Sequence, residues 1–343
     1  MFPAWISDRA NASWSKEGSS TGATTSPCPP TWRENSCMAF LDGYRRQVAL
    51  LLRVMPHVAK EDIFALKGGT AINLFVRDLP RLSVDIDLTY LPIEDRATSL
   101  ATIDAAMLRI KERIEEGLVG ARIHASRSAD EKIVTKLIVR ADDVQIKIEV
   151  TPVLRGTVYD PVVMGVVPAV EDAFGFAEIQ VVSFADLYAG KIVAALDRQH
   201  PRDLFDVRDL LANEGVTDDL RRAFLVYLAS HNRPMAEVLA PARKPLAEEF
   251  ERGFVGMTHQ PITLAELESA REDIIACMVA GMPDTHRQFL VGFKRGEPDW
   301  ALAGIDEARR LPAVLWKQRN LDRLDPGKRQ ELVAALEKQL LPG

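Results

Sequence analysis

Asp85 and Asp87 stand two residues apart in a strand-like run, Ile86-Asp87-Leu88-Thr89, that follows Arg81 and Ser83. A strand alternates its side chains between two faces, so the two carboxylates must point the same way. Their Cα atoms would lie roughly 6–7 Å apart, and two anions that close repel by about 2–3 kcal/mol at an effective dielectric near 20. A divalent cation converts that repulsion into a binding site. Mg²⁺ usually takes one or two carboxylates and completes its octahedron with substrate phosphates and waters. Just upstream, the apolar run from Ile63 to Leu66 leads into Lys67-Gly68-Gly69-Thr70. Glycines let the backbone approach a ligand, and a helix over Ala71 to Val76 would turn its free N–H groups toward an anion. The Thr70 hydroxyl is expected to donate to the same phosphate. Metal ligands on a strand beside a phosphate cradle point to phosphoryl or nucleotidyl transfer. Taken singly each piece has a plainer reading: a Gly-Gly pair marks a turn, and a D-x-D on a solvated face can pair with Arg81. Their order along the chain is what those readings leave unexplained.

The remaining elements must position this stretch. Leu41, Tyr44, Val48, Leu51, Leu52 and Met55 recur at three- and four-residue intervals, which predicts an amphipathic helix from Phe40 to about Val58 over a sheet. Its outer face carries Arg45, Arg46 and Arg53, expected to be solvated. A second helix is expected from Glu94 to Gly117. Lys132–Arg140 and Val144–Val150 read as a hairpin turning at Asp142-Asp143. In the second strand Val144, Ile146, Ile148 and Val150 face one way, and Gln145, Lys147 and Glu149 the other. Glu149 is thereby the natural third acid beside Asp85 and Asp87; the alternative is a surface glutamate paired with Lys147. Ser183 with Asp186 gives a helix N-cap signature, His200-Pro201 breaks that helix, and Arg202-Asp203 begins the next. Lys191, on an otherwise apolar face, needs an anion. A triphosphate would serve, and so would a salt-bridge knot of Lys191, Arg198, Arg202, Asp203 and Asp206, with Arg202 pairing with Asp206. From Leu210 onward the chain is predicted helical over 218–230, 234–239, 245–252, 263–280, 284–294, 299–310 and 328–340, with a Thr263/Glu266 capping box.

Lys-Gly-Gly-Thr-Ala followed by Arg81-x-Ser83-x-Asp85-x-Asp87 resembles the nucleotidyltransferase toxins of the AbiEii/AbiGii family, over about residues 40–240. The resemblance implies an α+β fold: a DNA polymerase β-like nucleotidyltransferase core, a mixed sheet with flanking helices, followed by a mostly helical C-terminal domain. It implies a transferase that uses a nucleoside triphosphate with Mg²⁺ held by Asp85, Asp87 and Glu149, with Lys67, Gly68, Gly69, Thr70, Arg81, Ser83 and Lys191 binding the nucleotide. Lys191, Asp203 and Asp206 match the family's second motif block, Lys191 to phosphate and Asp203 or Asp206 to orienting that lysine or the second substrate. Which aspartate matters stays open. Some relatives, the MenT-type toxins, add nucleotides to tRNA 3′ ends, so the implied partners are tRNA or another RNA acceptor and a cognate antitoxin. Transfer to an antibiotic or a protein hydroxyl, and a non-catalytic binding module, are the competing classes.

A chain of 343 residues accommodates two domains, expected as 38–210 for the core and 211–343 for the helical part. The net charge of −6 gives no global nucleic-acid signature, so any RNA contact must come from a local basic patch. Cys28, Cys37 and Cys277 form neither a C-x-x-C pair nor an even disulfide framework, which predicts a reducing cytoplasm. No apolar run reaches the ~20 residues that span a bilayer, and no membrane association is expected. The six histidines are scattered without ligand spacing. Residues 1–37, rich in Ser, Thr, Gly and Pro, are expected to form a mobile tail, with Met38 as a candidate natural start.

Overall fold

The apolar stripe of Tyr44, Val48, Leu51, Leu52 and Met55 is buried, and it makes α1 (Trp32–Ala59) a cover for the sheet. The structure, a computed structural model, describes residues 32–341 except Glu131, with backbone only for residues 32–41. Of the tail expected over 1–37, residues 1–31 therefore lie outside the described residues, and Trp32 to Cys37 belong to α1.

After α1 come β1 (Phe64–Lys67) and α2 (Gly68–Ala71), which continues as a π-helical turn, Ile72–Val76. Then follow β2 (Asp85–Tyr90), α3 (Arg96–Gly117), β3 (Arg122–Arg127), β4 (Val134–Ala141), β5 (Val144–Arg155), β6 (Val162–Gly165), α4 (Pro168–Phe174) and β7 (Glu178–Val181). The seven strands form one sheet in the order β3-β4-β5-β2-β1-β7-β6. It is mixed: β2 with β5 and β1 with β7 run parallel, and the other pairs antiparallel. The β4–β5 hairpin turns at Asp142 and Asp143, both with positive φ (51° and 61°), as a two-residue turn twisted to match its strands requires. Strand β3 carries no clear apolar alternation and was not expected; it exists because β4 offers it an edge to pair with.

One sheet face is apolar and packs under α1 and α3 through Leu66, Leu88, Leu137, Val139, Ile146, Ile148 and Val150. Period-two alternation then turns Lys67, Asp85, Asp87, Lys136, Lys147 and Glu149 to the other face. The helical remainder comprises α5 (Phe184–Arg198), α6 (Pro201–Asn213), α7 (Asp218–Ser230), α8 (Met235–Leu239), α9 (Ala247–Gly253), α10 (Leu264–Ile275, then π-helical Ala276–Ala280), α11 (Asp284–Arg295), α12 (Trp300–Ala303, then a 3₁₀ turn Asp306–Arg310), α13 (Pro312–Asp322) and α14 (Pro326–Leu340). The Thr263/Glu266 capping box is formed. Helix α13 lies outside the helical ranges expected from sequence; Pro312 sits at its first turn, where a missing N–H costs nothing.

The expected boundary at 210 falls inside α6, and one apolar cluster runs from Tyr44 to Leu340. The approach to β2 is also tied to the helical part by backbone. Leu82 N–H donates to Met257 O (2.8 Å), His259 N–H donates to Pro80 O (2.9 Å), and Arg81 bridges Thr258. Among the described residues, no helix is long and apolar enough to cross a membrane.

Candidate active site

Strand register assembles a charged row across the polar face. Lys67 on β1 stands opposite Asp87 on β2, Asp87 opposite Glu149 on β5, and Glu149 opposite Lys136 on β4. One step along, Asp85 stands opposite Lys147. Directly opposed residues share a face, so Asp85, Asp87 and Glu149 converge on the same side of the sheet. Burial, reinforced by the neighbouring Asp85 and Glu149 charges, raises the Asp87 carboxyl above the ordinary aspartate range, although Lys147 and Lys67 pull it down. Burial lowers the Lys67 ammonium, against the pull of Asp87 and Glu149. Lys147 lies between carboxylates, its Nζ 3.0 Å from Glu149 Oε2 and 3.5 Å from Asp85 Oδ2, and Lys136 Nζ reaches Glu149 at 3.7 Å. From its alternation alone Lys147 is a surface partner of Glu149; its place beside Asp85 depends on a strand pairing that no local pattern encodes.

The glycine turn abuts this row. Gly68 has φ +77°, and a Cβ there would stand 2.9 Å from Asp87 Oδ2, so both conformation and clearance require glycine. Gly69 is needed on its inner side, where a Cβ would meet Arg81 Nη2 and Ser83 Oγ at 2.7 Å. No side chain caps the start of α2, so its first-turn amides have no side-chain acceptor.

Two expected phosphate donors are placed otherwise. Thr70 is fully buried, and its hydroxyl donates to the Asp85 carbonyl at 2.6 Å. With that proton committed, the 3.2 Å contact between Thr70 and Ser83 hydroxyls must use the Ser83 proton. Thr70 thus fixes β2 to the turn instead of reaching a phosphate. Arg81, also buried, gives Nε and Nη2 to the two oxygens of Asp206 (2.6 and 2.5 Å) and Nη1 to Leu82 O. Its guanidinium faces inward beneath Gly69. The loop is further held by Asn73, which no motif marks, and by Tyr44, which its helical spacing marks only as core. Tyr44 Oη accepts from Ser83 N–H (2.7 Å) and donates to Ser83 O; Asn73 donates to Gly69 O (2.7 Å) and accepts from Arg81 N–H. Burial pushes the Tyr44 phenol up to about 12, so it keeps the proton this clamp uses.

Lys191 is buried between Asp203 (3.2 Å) and Asp206 (2.9 Å), and Arg198 also binds Asp203 (2.9 Å). The knot expected from sequence forms, with one exchange: Arg81, more than 100 residues upstream, takes the Asp206 contact expected of Arg202. Arg202 follows its helix N-cap on the exposed side, His200 Nδ1 accepting from its N–H. Burial alone would raise Asp206, but Arg81 and Lys191 hold it below the ordinary range.

Lys67, Gly68, Asp85, Asp87, Lys147, Glu149, Lys191 and Arg198 line one cleft of about 660 Å³, which is also lined by Gly190 of α5, Tyr227 of α7 and His231 just beyond α7. That volume accommodates a nucleotide-sized ligand. The three carboxylates, hard oxygen donors from adjacent strands facing a common cleft, fit a divalent cation in kind. Among the described residues no three His, Cys, Asp or Glu side chains already stand close enough to hold an ion; the charge resting among these carboxylates is the Lys147 ammonium.

The profile of the family described as "Nucleotidyl transferase AbiEii toxin, Type IV TA system" matches residues 49–313. The chain belongs to the AbiEii toxin family. The match extends well past residue 240 into the helical part, further than the motifs reach. As an AbiEii member the protein is a nucleotidyltransferase toxin of a type IV toxin–antitoxin system, which implies a nucleoside triphosphate as donor and an antitoxin as partner. Enzymes of this kind generally use a divalent metal. Among solved structures, the nucleotidyltransferase toxin MenT4 of Mycobacterium tuberculosis H37Rv is similar at a TM-score of 0.55 and 18% identity, over 82% of this chain and 98% of that one. At that identity the likeness shows the fold, an α+β nucleotidyltransferase fold. No curated protein matches the chain.

Proposed function

We propose that this AbiEii toxin transfers a nucleotide from a nucleoside triphosphate to an RNA acceptor, the 3′ end of tRNA, with Mg²⁺ at Asp85, Asp87 and Glu149. The observation that carries the reading is the convergence of three carboxylates from β2 and β5 on the glycine turn within one cleft. A second observation favours RNA over a small acceptor. The polar sheet face continues outward from the carboxylates through Lys147 and Lys136 to Arg140, with Arg122 and His124 on the edge strand β3. In a chain with net charge −6, this is the local basic surface an RNA backbone requires.

Bound at the carboxylates, Mg²⁺ would neutralise phosphate charge and acidify an acceptor hydroxyl. The amides of Gly68, Gly69 and Thr70 cradle the outer phosphates, with the Lys67 ammonium beside them. Glu149 takes the proton of the acceptor hydroxyl on a carboxylate oxygen. The acceptor's hydroxyl oxygen bonds to the α-phosphorus as the bond from that phosphorus to the α–β bridging oxygen breaks, and pyrophosphate leaves. Lys191, oriented by Asp203 and Asp206, meets the departing charge from the cleft wall. Arg81 and Ser83 act beneath the turn, as positioning residues. The sheet with α5 and α6 carries the chemistry, the helices that follow α6 brace it, and the cytoplasm supplies both substrates.

Purified protein incubated with total RNA and each labelled triphosphate in turn, with and without Mg²⁺, tests this. Mg²⁺-dependent label on tRNA is expected, with none from Asp87→Ala. Full transfer by Asp87→Ala, or label on protein or a small molecule and none on RNA, refutes it.

A further inference from the structure

Lys147 occupies the place where a cation shared by Asp85 and Glu149 would stand. Its Nζ lies within 3.0 Å of one and 3.5 Å of the other. It reaches them because β5 pairs in parallel with β2, which sets Lys147 opposite Asp85 and Glu149 opposite Asp87. Both carboxylates lie within ion-pair distance and hold the ammonium between them. A second positive charge cannot enter the same space without moving the first. Lys147 has somewhere to go, since its side chain is only half-buried and lines the cleft that holds Gly68 and Lys191.

We propose that Lys147 is a displaceable internal counter-ion that makes metal and nucleotide bind together. Without ligands it neutralises the carboxylates and suppresses metal binding. When a divalent cation enters, the ammonium swings into the cleft and pairs with the triphosphate. Metal binding thus releases the group that binds nucleotide, and each ligand strengthens the other by the same factor. The consequence for a toxin is that divalent cation alone, without nucleotide, loads the site poorly. This inference rests on Asp85, Asp87 and Glu149 being the metal site.

Mn²⁺ binding, followed by the electron paramagnetic resonance signal of the free ion, gives a readout independent of turnover. It is measured with and without α,β-methylene analogues of the four triphosphates, on wild type, Lys147→Met, Lys147→Arg and Asp87→Asn. In wild type, the best analogue should tighten Mn²⁺ binding about tenfold, within the ~5–150-fold range usual for coupled sites. Lys147→Met should bind Mn²⁺ alone about tenfold more tightly than wild type, and its coupling should shrink to about threefold or less. Lys147→Arg should keep the coupling. Circular dichroism confirms folding, and Lys147→Gln replaces the methionine variant if that does not fold. If Asp87→Asn abolishes Mn²⁺ binding while Lys147→Met binds it no more tightly than wild type, the counter-ion role is wrong and the metal site stands. If no form binds Mn²⁺ with any analogue, the metal-site reading fails and takes this inference with it.

Discussion

Arg81 and Asp206 form a buried ion pair, their side chains 3% and 1% exposed, and its removal should be felt in both stability and nucleotide binding. Breaking one partner of such a pair leaves an uncompensated charge and costs about 3–5 kcal/mol. Arg81→Met leaves Asp206 with Lys191 still 2.9 Å away, so about 3 kcal/mol is expected. Asp206→Asn strips the anion from two cations at once, although Lys191 keeps Asp203, which places it nearer 5 kcal/mol. The double variant removes one charge of each sign and should cost about 2–3 kcal/mol less than the sum, at the strong end for coupled neighbours. With a urea slope near 3 kcal/mol per molar for a chain this size, each single change moves the midpoint by about 1 M or more. Because Arg81 Nη2 lies directly under Gly69, Arg81→Met should also raise KM for the triphosphate more than it lowers kcat. Urea titrations of the four proteins, with initial-rate kinetics on the singles, supply the test. Additivity within about 0.5 kcal/mol, or an unchanged KM, would refute the reasoning.

Gly68→Ala combines a left-handed backbone that costs about 1–2 kcal/mol for an L-residue with a Cβ 2.9 Å from Asp87 Oδ2. Its melting temperature should fall by a few degrees and its transfer rate at least tenfold, whereas Gly43→Ala, where a Cβ meets nothing within 4 Å, should leave both unchanged. Glu61 accepts from Arg109 and Arg113, and although burial opposes it, those arginines hold its pKa below the usual carboxylate range. Its contribution is complete above the unfolded glutamate pKa, about 4.3, and is lost as pH falls through the lower folded value. Between pH 5 and 3 the melting temperature of wild type should therefore fall more steeply than that of Glu61→Gln, and equal slopes would remove Glu61 from the account. Arg122→Ala/Arg140→Ala should raise KM for RNA but not for the triphosphate. It should also flatten the salt dependence of RNA binding by about 0.7 per lost phosphate contact; an unaltered salt slope would mean that RNA does not use that face.

Much of the architecture was legible because its causes are local. The spacing of Tyr44, Val48 and Met55 makes α1, the Asp142-Asp143 turn with alternating flanks makes the β4–β5 hairpin, and Ser183 and Thr263 cap the helices they precede. The Lys-Gly-Gly-Thr and D-x-D motifs were equally visible, since each acts through its own backbone. Strand β3 was not, because pairing with β4 and not its own pattern makes it a strand.

By itself, the sequence determined that Asp85 and Asp87 share a face, that Glu149 alternates with Ile148, and that a glycine turn precedes them. Period-two geometry follows from covalent structure alone. Only the tertiary structure decided that β5 lies beside β2 in a register that brings Glu149 to Asp87 and Lys147 to Asp85. It also turned Thr70 and Arg81 inward and brought Arg81 to Asp206, across 125 residues of chain. Strand pairing and buried charge pairing are long-range choices, settled by which arrangement leaves fewest polar groups unsatisfied across the whole fold, and no local stretch of residues contains that comparison.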